Sequence, residues 1–74
     1  MTSWTINTIT QGMADALERL MSEYQTTQDP ERAIYCRIAR ARVHIAQLYG
    51  ELDRIPEAME NIEEAEKIIK ELIA

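Results

Sequence analysis

Apolar residues return at steps of three and four along almost the whole chain, and two short interruptions divide the pattern into three segments. In the first, Ile6, Ile9, Met13, Leu17, Leu20 and Tyr24 trace one stripe of an amphipathic helix. The second segment carries two rows. Ile34, Ile38, Ala41, Ile45, Leu48 and Leu52 keep a 4-3-4-3-4 spacing, and Tyr35, Ala39, Ala46 and Tyr49 lie beside them. At about 100° per residue the two rows cover roughly half the helix circumference, which predicts neighbours on two sides. In the third, Ile55, Ala58, Met59, Ile62, Ala65, Ile69 and Leu72 share one face. The pairs Glu63–Lys67, Glu66–Lys70 and Lys67–Glu71 fall on or beside the other, as a solvated surface does.

The interruptions carry helix-end chemistry. In "TTQDPERA", Asp29 suits an N-cap, Pro30 the first helical position, and Glu31 the positive end of the helix dipole. In "YGELDRIPEA", Gly50 weakens one helix, Asp53 can cap the next, and Pro56 and Glu57 fall in its first turn. Helices are therefore expected at about residues 5–26, 30–51 and 54–73, with the start of the first frayed before about Thr8 by a Thr-rich run and Gly12. Loops this short fold consecutive helices back on one another. The pattern predicts an all-α, up-down-up antiparallel three-helix bundle, a single domain over residues 1–74 with helix 2 in the middle.

Composition narrows the function classes. The apolar fraction is 46%, nearly all aliphatic, enough for a core in a chain of 74 residues but near the size at which a partner often adds stability. The net charge of −5 argues against nucleic acid or an anionic membrane as the main partner of the whole surface. Charge is uneven along the chain: residues 1–29 sum to −3, residues 30–50 to +3 and residues 51–74 to −5. The lone Cys36 can form no internal bridge and reads as a small, partly buried core residue, and no apolar run reaches membrane-spanning length. A reducing, cytoplasmic location is the simplest expectation. One His and one Cys eight residues apart lack a third group to orient a base, and Cys36, His44 and Glu51 span too many turns to share a metal ion. The expectation is no enzyme, no metal and no cofactor.

The hairpin formed by helices 2 and 3 has a further feature. Ile45, Ala46, Tyr49, Ala58, Ile62 and Ala65 match in type six signature positions of the tetratricopeptide repeat, a helix-turn-helix unit, over residues 39–72. Arg42 and Lys70 depart from its large-apolar and proline positions, and no second repeat precedes it. The segment resembles one such hairpin rather than an array, although any close antiparallel helix pair needs alanines at similar spacing. The resemblance implies a ligand-facing surface on helix 2 at Arg40, Val43, His44 and Gln47.

Arg37, Arg40 and His44 also lie within about 60° of one another on helix 2, with Gln47 beside them. This basic strip on an acidic chain is the candidate contact surface for an acidic protein segment. The same side chains could instead be plain solvated surface, or pair with Glu residues of a neighbouring helix. The expected function is a small adaptor or accessory subunit that binds another protein. The alternative is a regulator or inhibitor of a nucleic-acid enzyme, or a small nucleic-acid binder using the helix 2 arginines. Two structural expectations follow. The wide apolar arcs predict a homodimer with helix 1 or helix 3 at its interface. Arg42, set inside the second apolar row, should reach Asp15, Glu18 or Glu66, or stack on a tyrosine.

Overall fold

The computed structural model describes residues 2–74, which form α1 (Ser3–Thr26), α2 (Pro30–Glu51) and α3 (Ile55–Ile73). Two contacts between distant parts of the chain fix the directions. Ser3 Oγ at the start of α1 donates to the Gly50 carbonyl at the end of α2 (2.9 Å), so these helices are antiparallel. The Tyr24 hydroxyl at the end of α1 donates to the Leu72 carbonyl at the end of α3 (3.2 Å), so α1 and α3 run the same way. The result is the expected up-down-up arrangement. Both outer helices pack along α2 and touch each other far less.

Helix α1 starts earlier than its composition suggested. Thr2 caps it by accepting from the Thr5 N–H (3.2 Å), and Ile6 and Thr10 are fully buried. Burial of Ile6 and the Ser3 bond to α2 hold a Thr-rich turn that propensity alone would leave frayed. The Thr10 hydroxyl donates back to the Ile6 carbonyl (2.8 Å), so its burial leaves no orphan.

Both turns have the same construction. Gln28 and Asp53 take left-handed backbone conformations, with φ of 58° and 59°. After α1, Asp29 N–H bonds to the Tyr24 carbonyl (2.8 Å) and Gln28 N–H to that of Gln25 (3.3 Å); after α2, Arg54 N–H bonds to Tyr49 (2.8 Å) and Asp53 N–H to Gly50 (3.1 Å). These are paired Schellman closures, which satisfy carbonyls the helix would otherwise leave open. Asp29 then caps α2 by accepting from Arg32 N–H (3.2 Å). Asp53, by contrast, terminates α2 rather than capping α3. The N-cap of α3 is Arg54, which makes no side-chain cap bond and instead pairs with Glu57.

Gly50 is not a weak point at which α2 unravels but a contact inside it. A Cβ there would lie 2.9 Å from Ile6 Cγ2, closer than two carbons can approach without displacement. The glycine lets the first turns of α1 lie against the last turn of α2.

The core departs most from expectation on α2. Its buried residues are Ala33, Cys36, Ala39, Val43, Ala46 and Gly50, against which α1 sets Ile6, Ala14 and Leu17 and α3 sets Ala58, Ile62, Ala65 and Leu72. Small side chains let both neighbours approach the same side of α2 closely, and larger aliphatics from α1 and α3 fill the gaps. The long row Ile34, Ile38, Ala41, Ile45, Leu48 and Leu52 is left outside. On the helical wheel this row lies roughly 180° from the buried face. No side-chain polar atom among the described residues is buried without a hydrogen-bond partner, so the packed face is chemically complete.

Candidate functional site

Among the described residues, six of the eight exposed large apolar side chains belong to α2 or its C-cap: Ile34 (53%), Tyr35 (45%), Ile38 (45%), Ile45 (37%), Leu48 (47%) and Leu52 (68%). Isolated exposed aliphatics are ordinary, but a continuous row along a helix is not. Along most of α1 and α3 the apolar face is covered, since Ile9, Met13, Leu20, Met59 and Ile69 all pack against the buried clusters, while Trp4 (75%) near the start of α1 and Ile73 (64%) at the end of α3 remain exposed. Among the described residues, most of the exposed large apolar side chains therefore lie on α2 rather than on the outer helices.

The four basic-strip residues divide. Arg40 Nη2 donates to Glu18 Oε1 of α1 at 2.8 Å, with the two side chains about half exposed (45% and 55%). The pair ties α1 to α2 and holds Arg40 toward the seam between them. At this exposure such a pair contributes roughly 0–1 kcal/mol. His44 and Gln47 border the same seam with Gln11, Ala14 and Val43, around a furrow of about 100 Å³. That is well below the roughly 300 Å³ at which small-molecule sites begin. Val43, ligand-facing by the tetratricopeptide register, is only 1% exposed, because α1 lies over it. Arg37 and His44 are exposed, and among the described residues Arg37 makes no ion pair.

On the other side of the row, Arg42 is exposed and donates to Asn61 Oδ1 of α3 at 3.3 Å. Asn61 is in turn anchored by its own Nδ2 donating to the Glu57 carbonyl (2.9 Å). The expected carboxylate or tyrosine partner is replaced by a carboxamide, because the arc around Arg42 is open to water and sets no demand for charge neutralisation. The aliphatic row thus runs between two polar margins, Arg37 and His44 on the α1 side and Arg42 on the α3 side. Glu51 extends the first margin toward the C-terminal end of α2.

Cys36 lies at the centre of the buried face, 1% exposed, and burial pushes its thiol pKa up. A neutral, enclosed thiol is a packing group rather than a nucleophile. The outer surface of α3 carries Glu63, Glu64, Glu66, Lys67 and Lys70, of which Lys67 and Glu64 form an exposed pair (3.4 Å). No helix of the described residues is long and apolar enough to cross a membrane. Comparison with known protein families, with characterised proteins and with solved structures finds no match to this chain.

The aliphatic row, expected in the core from its periodicity, instead forms the outward face of α2. One signal pointed to it: the 4-3-4-3-4 spacing is the seam of a coiled coil, narrower than the stripe a bundle helix needs. From sequence, Glu51 was weighed only as a metal ligand, because it lies beyond the basic cluster.

Proposed function

We propose that the protein is a non-enzymatic interaction module that docks another polypeptide helix on the outward face of α2. The observation that carries this reading is the exposed row from Ile34 to Leu52, about 28 Å long at helical rise, on a helix already packed against α1 and α3. Docking an amphipathic helix would remove these side chains from water, and little ordering of α2 itself would be required. Arg37 and His44, beside the row, supply orientation by meeting acidic groups on the occupant. Arg40 is outside this contact because Glu18 already engages it. The nucleic-acid alternative has weaker support: Arg40 and Arg42 are held by Glu18 and Asn61, and the neighbouring α3 surface is acidic.

A photoreactive residue at Leu48 tests the reading, with one at Lys67 on the outer face of α3 as control. Irradiation in cells expressing the protein should give discrete crosslinked polypeptides from position 48 and none from position 67. Equal crosslinking from both positions, or none from position 48, would overturn it.

A further inference from the structure

We infer that the occupant of the α2 face is the α2 of a second copy of this chain, docked antiparallel about a two-fold axis. The inference rests on the functional reading above and adds the identity of the partner. The exposed row is complementary to its own reverse. Aligned antiparallel, Ile34 meets the partner's Leu52, Ile38 meets Leu48, and Ala41 meets Ile45, so six layers close with no residue left over. The small Ala41 always faces a large Ile45, which keeps the packing even.

The margins choose the same orientation. In the antiparallel alignment Arg37 lies across from the partner's Glu51, giving two opposite-charge pairs by symmetry. Tyr35 faces Tyr49 along the other margin. Near the axis His44 and Arg42 each come beside their own symmetry mates, but Arg42 is drawn away from the row by Asn61 (3.3 Å) and both margins stay in water. A parallel alignment would instead place Arg37 against Arg42 twice and leave Ala41 opposite Ala41. Charge and volume both disfavour it. Glu51 supplies the acidic group that the basic margin would otherwise seek on a foreign partner.

Sedimentation equilibrium on the full chain is the test. Wild type at about 100 µM should sediment as a dimer, twice the 8.6 kDa chain mass. Ile45→Glu should weaken the dimer by about a hundredfold or more while leaving the circular dichroism spectrum intact, since Ile45 is exposed in the single chain (37%). Arg37→Glu and Glu51→Arg should each weaken it by about tenfold alone, and an equimolar mixture of the two variants should restore it, because every margin pair is then of opposite sign. A wild-type chain that stays monomeric overturns the inference, while crosslinking from position 48 to a different polypeptide would still uphold the functional reading. A dimer that survives Ile45→Glu, or a mixture no tighter than its components, also overturns it.

Discussion

Gly50→Ala offers a sharp test of how α1 and α2 meet. In an exposed helix interior, replacing Gly by Ala stabilises by about 1 kcal/mol through helix propensity. At Gly50 the new Cβ would meet Ile6 Cγ2 at 2.9 Å and Ile6 Cβ at 3.4 Å. Ile6 cannot swing aside, because it is 0% exposed and packed with Ala46, Ala58 and Ile62. The Ser3 bond to the Gly50 carbonyl also resists a shift of the α1 N-terminus. Overpacking of this kind costs about 1–3 kcal/mol, so the net effect is a loss of about 1 kcal/mol. Gly12 is the internal control. Nothing lies within 4 Å of a Cβ there, so Gly12→Ala should stabilise by about 0.5–1 kcal/mol. For a chain of this size, the two variants should differ in melting temperature by on the order of 10 °C. The assay is thermal unfolding followed by circular dichroism, at one fixed protein concentration so that association affects both equally. If Gly50→Ala raises the melting temperature as much as Gly12→Ala does, α1 does not lie against the last turn of α2.

Asp29→Ala removes the acceptor for the Arg32 N–H and should cost about 1 kcal/mol in urea unfolding, whereas Asp53→Ala removes no cap bond from α3. Gln28→Gly relieves a left-handed conformation at a non-glycine residue and should stabilise by up to about 1 kcal/mol in the same assay. Burial raises the folded pKa of the Cys36 thiol above its unfolded value, so its stabilising contribution is whole below the unfolded pKa and is lost as pH rises through the folded pKa. Wild type should therefore lose more stability on alkaline titration than Cys36→Ala does; an equal loss would show that the thiol is not buried.

The helix boundaries were legible because Asp29, Pro30 and Pro56 are local signals acting within one turn. The up-down-up order followed from loops too short for anything else. The start of α1 was not legible, since burial of Ile6 depends on Gly50, far away in sequence. The sequence pattern set both apolar rows of α2 against neighbours, whereas only Ala39 and Ala46 of those rows are buried. Periodicity counts apolar residues and takes no account of how closely helices can approach, so Ala39, Val43 and Ala46 ranked below a row of Ile and Leu. Close backbone approach favoured the small arc, and the larger one was left exposed. That Arg40 could pair with a Glu of a neighbouring helix was open from the sequence, but its partner was not legible: Glu18 lies 22 residues away, and only the packing of α1 on α2 brings it to 2.8 Å.

Which face of α2 turns outward is read directly by methyl relaxation from a soluble paramagnetic agent. In Arg37→Glu, at a concentration where the dimer is dissociated, the methyls of Ile38, Ile45 and Leu48 should relax strongly while those of Ile6, Leu17 and Val43 stay protected. In concentrated wild type, Ile38, Ile45 and Leu48 should become protected as well. The reverse pattern in the variant, with Val43 exposed and Ile45 shielded, would mean that α2 is turned by half a revolution and that its aliphatic row is core.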